Sequence, residues 1–329
     1  MSRAHNMRGA AATAGRGRAF RSALVTGAVV GAAAVAVAVA GCGTVPGAAV
    51  TVDGTQVSTE AVLARVTSVL DASAGASGSS APADDDTRTQ AARTQITDVI
   101  RHQLAERAAA ESGITVSAKE VNDFIAQYDA YQKSSGSPDL GSVLQVPSAS
   151  VNDAVYDLQV LDALIKKIPK SGVEVTNVSV TVDAVPASDW ATAVADRVKF
   201  TADPAAMDAA AAAARAANPQ LPGGAESLLE QPHHAAFGLF SAAQGEILLI
   251  PQGTQGYLVT RITKRVQAPA TLTAQMITNA NQTAGLSGEI ALASLLFAKD
   301  AESARVQVNP RFGTWDPHIV QVVAASDAA

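Results

Sequence analysis

Apolar residues recur along this chain in two rhythms, every second position and every third or fourth, and each change of rhythm marks an element. Val50 and Val52 alternate with polar neighbours ahead of Asp53-Gly54, which predicts a strand, a tight turn and a short return to Ser58. Ser58 or Thr59 then offers a side-chain acceptor to a helix with Val62, Leu63, Val66, Val69 and Leu70 on one side. After Asp71 a glycine- and serine-rich run ending in Asp84, Asp85 and Asp86 is too polar to pack and predicts a mobile loop. A second helix sets Ile96, Val99, Ile100, Leu104 and Ala108 at helical spacing and stops at Gly113.

The sharpest local signal is Ser117-Ala118-Lys119-Glu120, a capping box that satisfies two helix-end amides, with Val116 and Val121 placed as a hydrophobic staple. The helix it opens carries Phe124, Ile125, Tyr128 and Tyr131. Residues 134–148 contain Gly136, Pro138, Gly141 and Pro147 and predict a loop. Ser150 and Asp153 open another helix, with Val155, Leu158, Leu161 and Ile165 along one side until Pro169 and Gly172 stop it.

Beyond Gly172 the rhythm shortens. Val178, Val180 and Val182 predict a strand, and Ser188-Asp189 precede a helix with Trp190, Val194 and Val198. Asp203-Pro204 start an Ala-rich helix reaching Ala217, residues 218–224 predict a loop, and Ile247 to Ile250 and Tyr257 to Ile262 predict two strands around a turn. A helix from about Thr271 to Ser303, loosened near Gly285 and Gly288, precedes Val306 and Val308. These two valines are expected to pair with Val50 and Val52. Residues 48–172 and 267–317 are then two parts of one domain, residues 173–266 are inserted in it, and residues 318–329 are a tail.

Composition adds a compartment. The chain has 329 residues and a formal net charge of −6, although Arg3, Arg8, Arg16, Arg18 and Arg21 all precede an uncharged run from Leu24 to Ala40. The remainder of the chain is therefore more acidic still, which argues against nucleic-acid binding, since that needs clustered Lys and Arg. Arginines, apolar run and small residues stand in the order of a signal peptide over residues 1–41. Cys42 is the single cysteine, so no disulfide forms within the chain. Val39-Ala40-Gly41-Cys42 resembles the lipobox of bacterial lipoproteins, which implies cleavage before Cys42, lipidation of its thiol, a linker over 42–47 and a lipid anchor on the extracytoplasmic face of the cell membrane. Two or three acyl chains hold a protein stably where one does not. The alternative is a signal anchor, for which the run is short and rich in Gly and Ala.

Several stretches together resemble the SurA and PrsA group of extracytoplasmic foldases: the lipobox, the start Ala49-Val50-Thr51-Val52-Asp53-Gly54-Thr55-Gln56-Val57-Ser58, the amphipathic helices, and a middle region running strand, helix, helix, Gly-Gly loop, Gly245-Glu246-Ile247, strand, strand. The segment Asn309 to Asp316 is similar to the closing segment of lipoproteins of this type from actinobacteria. The resemblance implies a mainly α fold with α+β: a SurA-N-like helical chaperone domain closed by N- and C-terminal strands, with an inserted parvulin-like domain. Active parvulins carry one histidine on the first strand of that domain and another on the last. Ser179 and Leu258 stand at those places by this reading, so prolyl isomerase activity is expected to be weak or lost.

Other chemistry is thinly represented. His233 and His234 invite metal or proton-transfer readings, but no acid or third histidine lies at ligand spacing, and exposed polar residues in a loop are the favoured account. His102 is expected on a helix flank. No Gly-x-Ser-x-Gly and no free thiol is available for nucleophilic catalysis, and Asp84 to Asp86 lack the spacing of a calcium loop. Phe124, Tyr128 and Tyr131 are the candidate client-binding residues if their stripe stays exposed, with core packing as the alternative. Trp315 beside Phe312 is expected to pin the terminal strand. The expected function is that of a membrane-anchored holdase for unfolded or partly folded exported proteins, needing no cofactor and no metal. An active prolyl isomerase and an adaptor lipoprotein with one dedicated partner are the other readings.

Overall fold

The computed structural model describes residues 47–77, 83–221, 223–252 and 255–325. The lipobox with Cys42, the centre of the loop before Asp84, Gly253-Thr254 of the turn before Tyr257 and the last four residues lie outside the described residues. Strands β1 (Ala48–Val52) and β2 (Thr55–Ser58) form a hairpin whose two turn residues, Asp53 and Gly54, both have positive φ, 49° and 92°. A turn of that hand matches strand twist, and an Asp-Gly pair is the usual way to make it. On its other edge β1 takes β7 (Val306–Val308), with Val50 opposite Val308 and Val52 opposite Val306, so the expected joining of distant segments is present.

Five helices, one of them short, come after the hairpin. Helix α1 (Thr59–Ser77) starts where Ser58 Oγ accepts from the Ala61 amide at 3.1 Å. It runs past Asp71, because the Ala and Ser residues that suggested a loop are compatible with a helix. Helix α2 (Asp85–Ser112) is capped by Asp84 and ends at Gly113 in the left-handed conformation, φ 64°. The acidic run at its start is not simply solvated: Asp84 and Asp86 both face Arg197, whose side chain is buried. Helix α3 (Ala118–Ser135) has both halves of the predicted capping box. The loop expected after it contains a short helix, α4 (Leu140–Leu144), because Asp139 caps the turn and Leu140 finds a buried seat. Helix α5 (Val151–Ile165) completes the group.

The middle region is an antiparallel four-stranded sheet. Its members are β3 (Val173–Ala187), β4 (Gly223–Ser227), β5 (Ile247–Pro251) and β6 (Tyr257–Leu272), in the order β4-β3-β6-β5, with α6 (Trp190–Ala202) and α7 (Pro204–Ala217) between β3 and β4. Strands β3 and β6 are far longer than the sequence patterns suggested, and they pair from Val173–Leu272 to Ala187–Tyr257. Polar and alanine-rich positions at 263–271 lie largely on the exposed side, so the ladder continues where apolar alternation fades. Gly223 and Gly224, read as loop, are strand residues opposite Asp183 and Val182. In α6 the buried positions are Ala193, Arg197 and Phe200, while Val198 is exposed. Arg197 takes the inward place because Asp84 neutralises it there.

Helix α8 (Ala274–Ala293) begins later than expected, since Thr271 and Leu272 belong to β6. It breaks at Gly285, φ 67° and ψ −160°, a conformation for which glycine is suited. A 3-10 turn leads into α9 (Ala298–Ser303), and the chain closes with the hairpin β8 (Thr314–Asp316) and β9 (Gln321–Val323). Ile319, Val320 and Val322 are almost fully buried, so this stretch is core and not a tail. One continuous buried cluster runs from Val50 and Val52 through α2 to the sheet face of Val178, Val180 and Val182, and on to Val322. A smaller cluster lies under α6 and α7, and a third lies among α3, α4 and α5.

Candidate functional site

Helix α3 sets its apolar stripe over the third, outlying cluster. Val121 is its one buried residue, packing with Leu140 and Val155, while Phe124, Ile125 and Tyr128 lie half-buried around them. Tyr131 stands further out at 57% exposed, edge-on to Tyr128 with ring centroids 6.1 Å apart. The Tyr128 hydroxyl donates to the Pro138 carbonyl at 3.2 Å, which ties α3 to the segment leading into α4. Partial burial and the neighbouring Tyr131 and Asp139 push the Tyr128 phenol upward, so it remains a neutral donor. Asp139 is pulled down by the hydroxyl and amide of Ser142, which keeps the cap of α4 ionised. Leu144 and, beyond the break in α8, Leu286 join the same cluster. The three candidate residues are thus brought together, in a graded series from half-buried to exposed. Leu286 was invisible as a partner in the sequence, because only the break at Gly285 carries it there.

The positions proposed for a histidine pair do not meet. Ser179 lies opposite Val266, whereas Leu258 lies opposite Pro186, at the other end of the same ladder. The residue facing Leu258 is therefore Pro186, and neither is titratable. The misplacement came from taking β3 to be a short strand. The face bearing Val178, Val180 and Val182 shares the main buried cluster with Leu228, Leu239 and Phe240. The Gly245-Glu246-Ile247 segment ties the sheet to the helices, because Glu246 pairs with Arg93 of α2 at 2.7 Å and accepts from the Ala243 amide at 2.9 Å.

Two histidines are less exposed than expected. His234 Nδ1 lies 2.5 Å from Glu226 Oε2, an acid eight residues away that strand β4 delivers, and the His233 ring lies 4.1 Å from it. His233 is pushed down by burial and by His234. His102 reaches across to Asp157 of α5 at 2.7 Å, and that hydrogen bond pushes its pKa up. Among the described residues no group of three or more His, Cys, Asp or Glu side chains is arranged to hold a metal ion.

A feature that sequence reasoning missed is a cleft of about 90 Å³ between α2, α4, α8 and β9. Thr94, Thr97, Asp98 and Arg101 form its polar side, and Leu144, Ala236, Ile290 and Val322 are among its apolar walls. Burial raises the Asp98 carboxyl to about 7 against the opposing pull of Arg101. The one sequence signal was a charged pair interrupting the apolar face of α2 beside Ile100.

Among the described residues no helix is long and apolar enough to cross a membrane. No curated protein matches the chain. Among solved structures it is similar to the foldase protein PrsA from Lactococcus lactis, at 15% identity over 80% of this chain and 95% of that one; the TM-score is 0.30, too low to carry an argument. The family model described as SurA-like N-terminal domain matches residues 18–141, a stretch that takes in β1, β2 and the helices through α3. The resemblance read from the sequence stands on that match, and by it the chain carries a SurA-like N-terminal domain.

Proposed function

We propose that this protein is an extracytoplasmic foldase-type chaperone that holds unfolded or partly folded exported chains by apolar contact, without strong prolyl isomerase activity. The observation that carries the reading is the α3 stripe inside the SurA-like segment, where Phe124, Tyr128 and Tyr131 pass from half-buried to exposed on a helix with one fully buried residue, Val121. Aromatic side chains offer large contact area for little conformational loss, and an exposed apolar set of this kind marks an interaction surface. Apolar holding needs neither cofactor nor ATP. Lipidation of Cys42 supplies the anchor in this proposal, placing the stripe outside the membrane, and the acidic chain is not assigned a nucleic-acid partner. The proposal keeps the division into a helical chaperone unit, residues 48–172 with 267–317, and a parvulin-like insertion over 173–266.

The test is suppression of aggregation of a denatured model protein by the chain with Phe124, Tyr128 and Tyr131 all changed to serine. Holding is expected to fall severalfold while the chain stays folded with a modestly lowered melting temperature, since Phe124 and Tyr128 are half-buried. Full holding by that variant sinks the assignment of the stripe, and prolyl isomerisation at a rate typical of an enzyme sinks the non-catalytic reading.

A further inference from the structure

Two rows of ionisable side chains face each other where α5 lies against α2. Asp98, His102 and Glu106 follow at intervals of four residues, which stacks them along one side of α2, and Asp153 and Asp157 are spaced in the same way on α5. The rows meet at His102, whose Nδ1 lies 2.7 Å from Asp157 Oδ1 and whose Nε2 lies 3.8 Å from Glu106 Oε1. Tyr156 of α5 covers the imidazole edge-on, with ring centroids 5.9 Å apart. Four carboxylates thus share the seam with one imidazole, and the other cations acting on it are Arg101 of α2 and Arg65 of α1. Arg101 Nε donates to the buried Val320 carbonyl at 3.1 Å, which ties that cation to the main core and not to α5. His102 is therefore the one cation that bonds directly to the facing helix.

Protonation sets the balance of charge across this seam. Burial raises the Asp98 carboxyl to about 7, and the hydrogen bond to Asp157 raises His102. Burial also raises Asp157, against the pull of His102. All three groups hold a proton more tightly in the folded chain than in the unfolded one, so the stability each contributes is present in acid and lost as pH rises. At pH 6 Asp98 is neutral and His102 is charged, so Asp157, Asp153 and Glu106 face His102, Arg101 and Arg65. At pH 8 Asp98 has ionised and His102 is losing its charge, so four carboxylates are left with the two arginines. Like charges crowded into a half-buried seam repel. What the seam holds in place is the client side of the helical unit. Val155 of α5 is fully buried and forms the seat for Val121 of α3 and Leu140 of α4. Further along α5, Val160 and Leu161 belong to the main cluster and fix that end of the helix. We infer that the α2–α5 seam is a proton-operated latch, which closes the cluster among α3, α4 and α5 below neutral pH and releases it above, offering Val121, Leu140 and Val155 to an unfolded client. This deepens the chaperone reading and rests on it: the aromatic stripe is the standing contact, and the latch sets how much apolar surface joins it.

The test is amide hydrogen exchange of the full chain in detergent at pH 6 and pH 8, with each rate divided by the intrinsic rate at that pH, beside holding of a denatured model protein under the same conditions. Protection along residues 118–135 and 151–158 of the wild type is expected to fall about tenfold between the two pH values. Asp98→Asn stays neutral throughout and is expected to keep most of its pH 6 protection at pH 8. His102→Gln is expected to show at pH 6 the low protection that the wild type shows at pH 8. These opposite responses separate a latch from a packing role, which weakens protection in both variants. Asp153→Asn, at an exposed position of the facing row, is expected to raise protection at pH 8 about twofold, which keeps the test open if His102→Gln does not fold. Holding per mole is expected to be severalfold greater at pH 8 than at pH 6 for the wild type and to lose most of that gain in Asp98→Asn. Equal wild-type protection at the two pH values, or lower protection in Asp98→Asn than in the wild type at pH 8, overturns the latch. Protection that changes with pH while holding does not follow overturns its service to clients. Holding at both pH values without any change in protection overturns the latch alone, whereas no holding at either pH overturns the chaperone reading.

Discussion

Helices α2 and α3 carry similar apolar stripes, yet one is sunk in the core and the other lies along its edge. In α2 the buried positions include Gln95, Ile96 and Thr97, then Val99 and Ile100, then Leu104 and Ala105, so side chains pointing in different directions are all covered. Helices α1 and α5 and strand β9 do the covering. In α3 only Val121 is buried, and the helix touches α4 and α5. The capping signals differ in kind. Helix α3 has the full reciprocal box, whereas α2 has an Asp84 cap that is also occupied with Arg197. A helix that receives little packing must be held by its ends, because isolated short helices are marginal in water. Local strength is what allows α3 to leave Tyr131 exposed while Phe124 and Tyr128 stay half-buried.

The largest effect that separates the two helices is expected from truncation. Ile100→Ala, at a fully buried position of α2, is expected to cost about 3 kcal/mol of stability, within the range for large-to-small changes in a core. Phe124→Ala removes a larger side chain yet is expected to cost less than half as much, because its site is half-exposed. Urea unfolding of both variants decides the matter, and equal losses erase the distinction. Trp315→Ala comes next. Trp315 packs against the main cluster from β8, opposite Val322, but its Nε1 is buried without a partner. Truncation removes that unsatisfied donor along with the packing, so the loss is expected to be about 2 kcal/mol, below the usual 3–5 for an aromatic. An unchanged melting temperature refutes the idea that this hairpin is pinned through Trp315.

Legibility followed the range of the interaction. Caps and turns at Asp53-Gly54, Ser58, Gly113, Ser117 and Asp189 were readable because each is decided by residues within a few positions. The pairing of Val50 and Val52 with Val306 and Val308 was readable because both segments alternate cleanly. Strand length was not, since β3 and β6 stabilise each other through a ladder whose outer residues are polar. The inward place of Arg197 was not legible for a related reason: a charge becomes a core residue only when a distant carboxylate, Asp84, arrives to meet it. The aromatic candidates could be named in advance, whereas the Asp98 and Arg101 cleft is assembled from α2, α4, α8 and β9 and has no contiguous motif.

Acidity probes the buried side of the comparison. Asp98 titrates near 7 in the folded chain, against an ordinary value of 3.8. Between those values the folded state holds a proton that the unfolded state has released, so stability is expected to fall as pH rises from about 4 to 7 and then to level off. The groups that face this carboxyl are Arg101 on its own helix, Arg65 of α1 and Asp157 of α5, the last bonded to His102. Because the Asp98 side chain borders the open cleft, the loss attributable to it is on the order of 1–2 kcal/mol once solvent screening is allowed for. Comparing unfolding at pH 5 and pH 8 for the wild type and Asp98→Asn isolates the contribution. Equal pH dependence in the two proteins shows that the carboxyl titrates normally.

The smallest effect belongs to the edge. Ser117→Ala removes both the bond from the Glu120 amide to Ser117 Oγ, 3.2 Å, and the hydroxyl's contact with the Glu120 carboxylate, 2.8 Å. Loss of a helix cap costs about 1 kcal/mol, and here the cost is expected to stay within α3, since the helix shares little with the main core. Amide hydrogen exchange reads it locally: exchange along residues 118–135 is expected to quicken by roughly fivefold, the equivalent of about 1 kcal/mol, while amides of α2 keep their protection. Quickening in α2 as well means that α3 unfolds only with the core. In that case its aromatic residues hold the domain together, and they are no longer a surface left free for clients.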